Sequence, residues 1–274
     1  MEAALNKATL FKNYHHDSSV LILPNAWDVM SAKIYEKMDY KAIGTTSAGI
    51  AASLGYKDGE QIPFELMLDV IKQITNSVNI PVSADIESGY GETIEEVIEN
   101  VKKVIDIGVV GINLEDSIKY KLSALYDIEF QQKKIERIKN LSISEGIPLF
   151  INARTDVYWL NLYDNKIKET IERATAYKAA GADGIFIPGL TNEETIKIFT
   201  EEIRLPINIL AESSTPTLLD LNHLNVKRLS FGSGAYRATV SNIQKIACEV
   251  MKQGHYKRMT NNSMSYEDMM DLLK

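Results

Sequence analysis

The sequence predicts a single-domain (β/α)8 barrel, and three observations carry that expectation. Eight short apolar runs recur along the 274 residues, each ending in polar residues. Segments with helical spacing separate them, so that strand starts fall roughly 20 to 40 residues apart, the spacing of βα units. The first strand-to-helix turn, LPNAWD at 23–28, holds no glycine. That argues against a doubly wound sheet, which often opens with a Gly-rich turn.

The predicted strands are VLILPNA at 20–26, AIGTTSA at 42–48, PVSADIE at 81–87 and GINLED at 111–116. PLFINART at 148–155, GIFIPG at 184–189, INILAE at 207–212 and RLSFGS at 228–233 complete the set. Near-continuous apolar stretches of this kind suit parallel strands buried on both faces. Between them, 63–78, 93–108, 166–181 and 235–254 read as amphipathic helices. The second of these opens on Thr93 with Glu96 three residues later and closes on Gly108, a capping box and a glycine stop. The barrel is expected over 1–254, with a polar C-terminal tail at 255–274 that ends in the amphipathic stretch SYEDMMDLLK.

Composition narrows the function. Asp plus Glu total 37 against 30 Lys plus Arg, a formal charge of −7, which disfavours nucleic acid as a partner. No apolar run is long enough for a membrane span, and the first residues lack a continuous apolar signal core, so a cytoplasmic location is expected. One cysteine excludes an internal disulfide and a Cys-based zinc cluster. That residue, Cys248, occupies an apolar position of the last helix and is expected to be buried packing. His15 and His16, ahead of the first strand, are expected at the surface.

In a barrel the chemistry sits at the carboxyl ends of the strands. Strand three ends in Asp85 and Glu87, strand four in Glu115 and Asp116, strand five in Asn152, Arg154 and Asp156. Adjacent strands lie about 4.8 Å apart, which lets Asp85, Glu87 and Glu115 converge. Clustered carboxylates repel unless they are protonated or share a cation, so one reading is a divalent metal site. The other is that these acids cap helices at the barrel rim. Arg154 suits a substrate carboxylate or phosphonate, or else pairs with Asp156 or Glu115. The turn Thr46-Ser47-Ala48-Gly49 either offers amides to an anion or is a plain loop. Gly232-Ser233-Gly234 carries the same two readings.

Taken in order, LPNAWD at 23–28, TTSAGIAASLGYKDG at 45–59, ADIESGYG at 84–91, NLEDS at 113–117 and NARTD at 152–156 resemble the isocitrate lyase/phosphoenolpyruvate mutase superfamily. The resemblance runs from about Leu21 to Gly254. It implies substrate-carboxylate contacts at Thr46, Ser47 and Ala48 and a substrate contact at Asn208. It also implies that Asp85 binds Mg²⁺ (or Mn²⁺) directly, with Asp58, Glu87 and Glu115 reaching it through water. Arg154 would bind the substrate oxyanion, and the chain would form a homo-oligomer, a dimer or tetramer.

Two departures stand out. Glu87 falls where characterised members commonly carry Asp. The loop after strand four, SIKYKLSALYD at 117–127, has neither the cysteine nor the histidine of the isocitrate and methylisocitrate lyases. Lys119 or Lys121 corresponds to the lysine of the phosphonate-cleaving members, and Ser123 replaces their asparagine. Asp58, Arg154 and Lys121 are therefore the expected catalytic residues. The expected reaction is Mg²⁺-dependent cleavage of a carbon–carbon bond in a small 2-oxo or 2-hydroxy acid through an enolate-like state. Phosphorus–carbon chemistry on a phosphonopyruvate-like substrate, and 2-oxo acid binding with little catalysis, are the alternatives.

Overall fold

A computed structural model describes residues 2–118, 124–261 and 263–274. The strands are β1 (Leu21–Leu23), β2 (Asn25–Ala26), β3 (Ile43–Thr45), β4 (Val82–Asp85), β5 (Gly111–Glu115), β6 (Phe150–Arg154), β7 (Gly184–Phe186), β8 (Ile207–Leu210) and β9 (Arg228–Ser230). Every neighbouring pair is parallel, in the order β1-β9-β8-β7-β6-β5-β4-β3-β2. The first predicted strand is split by Pro24, which has no N–H to donate. Its carbonyl still accepts from the Gly44 amide at 2.8 Å. Because β1 pairs with β9 while β2 pairs with β3, this interrupted strand joins both ends of the sheet. Eight strands thus form the expected (β/α)8 barrel.

Helices follow the strands around the outside. Phe64–Ser77, Ile94–Asp106, Lys166–Ala179 and Gly234–Gln253 match the four helices read from periodicity. The capping box forms as expected, with Thr93 accepting from the Glu96 amide and the Glu96 carboxylate accepting from the Thr93 amide. Strands end earlier than their apolar runs suggest. Thr46 accepts from the Gly49 amide and starts the helix Ser47–Ser53, so Ser47 is helical rather than extended. Glu87 turns into the left-handed region at φ 50°, which takes it out of the strand ending at Asp85.

The barrel floor is closed by the helix Glu2–Tyr14. Phe11 packs edge-on against Phe150, with ring centroids 5.6 Å apart. A Cβ at Gly111 would lie 2.6 Å from the Phe11 ring, so only glycine admits this plug. His15 corrects an expectation. It is 1% exposed and stacks on Phe150 with centroids 3.9 Å apart, because the helix carries it under the barrel rather than into solvent. Burial and the nearby Arg228 charge lower its pKa to about 3.

The core itself is partly polar. Asn152 Nδ2 donates to Asn113 Oδ1 at 2.8 Å, and Arg228 Nη2 donates to the same oxygen at 3.1 Å. Cys248 is also corrected: it is exposed, because the helix Gly234–Gln253 leaves most of its surface uncovered. No helix among the described residues is long and apolar enough to cross a membrane.

Candidate active site

Asp85 closes β4 at the barrel mouth. Its Oδ2 accepts from the Ser47 amide at 3.3 Å and from the Ser47 hydroxyl at 2.9 Å. Its own amide donates to Thr45 Oγ1 at 3.0 Å. The second carboxylate oxygen, Oδ1, is buried and has no hydrogen-bond partner. A buried, unpaired carboxylate oxygen is costly unless something else fills its place. Asp85 and Arg154 line one cavity of about 110 Å³, together with Thr46, Ser47, Ala48 and Asp58. Asp58, Glu87, Glu115 and Arg154 line an adjoining one, which shares Ser47, Asp58, Arg154 and Trp159 with the first.

The acids expected to converge are held apart. Glu87 Oε2 accepts from the Glu60 amide at 2.7 Å, and its Oε1 accepts from the Tyr90 hydroxyl at 2.7 Å. Glu115 instead pairs with Arg154 at 2.9 Å. Accordingly, no three acidic, histidine or cysteine side chains among the described residues form a ready-made metal cage. Asp85 alone of these acids presents an unsatisfied buried oxygen, which fits one direct protein bond to a hard cation. Mg²⁺ sites commonly keep several waters in the remaining positions. Burial and the Asp58 charge push Glu87 up to about 8. Burial raises Glu115 against the pull of Arg154. Asp58, on the exposed rim, is raised by partial desolvation and by Asp85.

Arg154 realises the ion-pair reading. Its Nε and Nη2 donate to the two oxygens of Asp156 at 2.6 and 3.0 Å, while Nη1 meets Glu115. A guanidinium has five N–H groups, so this grip leaves two for a ligand. Asp156 is itself oriented. Its amide donates to Asp116 Oδ1 at 3.0 Å, and Ser117 donates to its Oδ2. Asp116 in turn accepts from Tyr177 at 2.7 Å and pairs with Arg173 at 3.2 Å.

Asn208 is buried, accepts from the Ser230 hydroxyl at 3.2 Å and leaves its amide nitrogen without a partner. The amides of Phe231 and Gly232 both donate to Asn25 Oδ1, which occupies the glycine turn after β9. Lys119, Lys121 and Ser123 lie outside the described residues. The base of their segment is fixed by an antiparallel bridge between Ser117 and Leu125 and by Arg173 donating to the Tyr126 carbonyl at 2.9 Å.

Sequence reasoning missed Glu60 and Lys134. Glu60 Oε1 accepts from Ser88 N, Ser88 Oγ and Tyr90 N, and so shapes the turn that carries Glu87. Lys134 donates to the Ser88 carbonyl at 2.9 Å and lies over the Tyr126 ring. Burial lowers its pKa to about 8. Its signal was available: Gln131, Lys134, Ile135 and Ile138 share one buried helical stripe.

Comparison with known proteins agrees with the fold and with the family resemblance. The family model for phosphoenolpyruvate phosphomutase matches residues 11–251. The chain is 36% identical to an uncharacterised protein of Mycobacterium tuberculosis over 83% of both chains. It is 30% identical to the 2,3-dimethylmalate lyase of Eubacterium barkeri over 73% of this chain and 69% of that one. A solved structure of a candidate phosphonomutase from Burkholderia cenocepacia superposes with a TM-score of 0.85 at 35% identity, covering 92% of this chain and all of that one. The chain therefore belongs to the phosphoenolpyruvate phosphomutase family, in the isocitrate lyase/phosphoenolpyruvate mutase superfamily.

Proposed function

We propose that the protein is a Mg²⁺-dependent enzyme that cleaves a carbon–carbon bond in a small 2-oxo or 2-hydroxy acid. The observation that carries this reading is the unpaired, buried Oδ1 of Asp85, in one cavity with the Arg154 guanidinium. Ser47 holds the other Asp85 oxygen with its amide and hydroxyl, which fixes the carboxylate's rotation. Asp156 and Glu115 hold Arg154, so its remaining N–H groups meet a substrate oxyanion without reorganising. A bound Mg²⁺ would act there as a Lewis acid on the substrate oxygen. Glu87, Glu115 and Asp58 line the adjoining cavity and would accept hydrogen bonds from waters around the cation. The similarity to a 2,3-dimethylmalate lyase at 30% identity supports the carbon–carbon reading, and the similarity to a candidate phosphonomutase at 35% keeps phosphorus–carbon chemistry as the alternative.

The test is a substrate panel of oxaloacetate, 2-methylisocitrate and phosphonopyruvate with Mg²⁺, with chelator, and with Asp85→Ala. Mg²⁺-dependent release of pyruvate from either of the first two, lost in the variant, is the expected result. Turnover of phosphonopyruvate alone would move the assignment to phosphorus–carbon chemistry. Tight 2-oxo acid binding with no turnover of any compound would make the protein a binder.

A further inference from the structure

One helix holds the backbone around both Glu87 and Glu115. Gln131 and Lys134 lie three residues apart on the helix Ile128–Ser144, in the same buried stripe as Ile135 and Ile138. Gln131 Nε2 donates to the Glu115 carbonyl at 3.1 Å, and Lys134 Nζ donates to the Ser88 carbonyl at 2.9 Å. The Glu115 amide donates to the Glu87 carbonyl at 2.8 Å. These contacts form a closed circuit. It runs from Gln131 through Glu115, Glu87 and Ser88 to Lys134, and back along the helix.

The stripe of a helix that faces a core is ordinarily apolar. Gln131 is 0% exposed and Lys134 1%, and burying an ammonium costs more than burying an aliphatic side chain of similar volume. Neither residue lines the cavity that Glu87 and Glu115 line, so neither touches what that cavity holds. What the two polar groups supply is position. They tie the last residue of β5, and the turn that follows β4, to a helix of 17 residues.

We propose that Gln131 and Lys134 are positioning residues. By fixing the backbone at Glu115 and Ser88, they hold the Glu87 and Glu115 carboxylates at the spacing that a small octahedral cation and its waters require. This rests on the reading above that Mg²⁺ binds at Asp85. Mg²⁺ tolerates little departure from ideal geometry, whereas Ca²⁺ accepts variable coordination at longer distances. Loosening the circuit should therefore cost Mg²⁺ more than Ca²⁺.

The experiment is calorimetric titration of the full chain with Mg²⁺ and, separately, with Ca²⁺. Gln131→Met and Lys134→Met are compared with wild type, with Lys133→Met and Asp85→Ala as controls. Gln131→Met changes no charge and should weaken Mg²⁺ about tenfold, with a smaller loss for Ca²⁺. Lys134→Met also deletes a positive charge near Glu60, Asp116 and Glu115, which by itself would tighten both ions alike. Its readout is therefore the Mg²⁺-to-Ca²⁺ affinity ratio, which should fall about tenfold. Lys133, exposed on the same helix and paired with Glu129, makes the charge control, and its loss should leave the ratio unchanged. A wild-type ratio in either test variant removes that residue from the assignment, and in both it overturns the positioning role. That holds even if the variants unfold more easily, because a purely structural brace would change stability and not ion preference. Gln131→Met, which strands no charge, carries the test should Lys134→Met fail to fold. Mg²⁺ binding that is absent from the wild type, or that survives Asp85→Ala, overturns the metal reading and this inference with it.

Discussion

The Tyr90 hydroxyl donates to Oε1 of Glu87 at 2.7 Å, and both residues hold left-handed backbone, at φ 57° and 50°. Non-glycine residues adopt that region at a cost of about 1 kcal/mol or more, so the turn is held by its surroundings. Glu60 does the holding, through three donors from Ser88 and Tyr90. The turn aims a carboxylate at the barrel mouth that sequence spacing alone would have left on the strand.

On the proposed Mg²⁺ reading, this pair should make metal affinity depend on pH. Burial and Asp58 raise Glu87 to about 8, while the Tyr90 hydroxyl lowers it. Below about 8 the metal-free site holds a proton that a cation must displace. Mg²⁺ affinity should therefore climb with pH, by up to about tenfold per unit, and level off above 8. Tyr90→Phe removes the stabilising donor, so Mg²⁺ affinity near neutral pH should fall about ten- to hundredfold and recover in part on the alkaline side. Calorimetric Mg²⁺ titrations across that range check both statements, and a flat profile in the wild type would refute the first.

Arg154 binds two carboxylates that have little access to water. Arg154→Met leaves Glu115 and Asp156 unpaired, and should cost about 3–5 kcal/mol of stability. It should also cost about two to three orders of magnitude in turnover, the usual loss for one oxyanion donor. Arg154→Lys keeps the charge but not the fork, so stability should recover more than activity. Urea melts and steady-state kinetics on the two variants separate these effects.

His15 should set part of the acid limb of the stability curve. Its folded pKa, about 3, lies below the ordinary 6.5, so the unfolded chain binds the proton first as pH falls. Stability from this group is complete above about pH 6.5 and is lost on the way down to about 3, by up to about 1.4 kcal/mol per unit. His15→Phe retains a ring on Phe150 and should flatten that limb. Denaturant melts from neutral to mildly acidic pH, where the two slopes must differ, provide the measurement.

The helix Gly234–Gln253 exposes Val240, Ile243 and Val250 at helical spacing, with Met251 beside them. A single chain rarely leaves so continuous an apolar stripe open to water. We expect it to be covered by a second copy in a dimer or tetramer. Ile243→Glu together with Val250→Glu should shift the protein to monomer in sedimentation velocity. A wild-type protein that is monomeric at micromolar concentration would refute this.

Much of the fold was open to reading along the chain. Eight apolar runs with polar ends, and helices such as Ile94–Asp106 with its capping box, announce themselves through periodicities of two to four residues. Those periods report which face of one element meets the core, and they place Asp85, Glu115 and Arg154 at strand ends. The strand limits were less legible at Ser47 and Glu87, because caps and left-handed turns end an extended run without changing its composition.

By itself, then, the sequence determined the barrel and placed Asp85, Glu115 and Arg154 at the ends of its strands. Tertiary structure alone decided how they pair. Glu87 finds the Glu60 amide 27 residues away, Asn113 accepts from Arg228 across 115 residues, and Asp116 reaches Tyr177 across 61. It also decided that His15 is buried, that Cys248 is exposed, and that Phe186 and Leu210 face the same cavity as Asp85. The reason is physical. Local patterning reflects hydrogen bonds and burial within a few residues, whereas the partner of a carboxylate is set by which strand ends the closed barrel brings within about 3 Å.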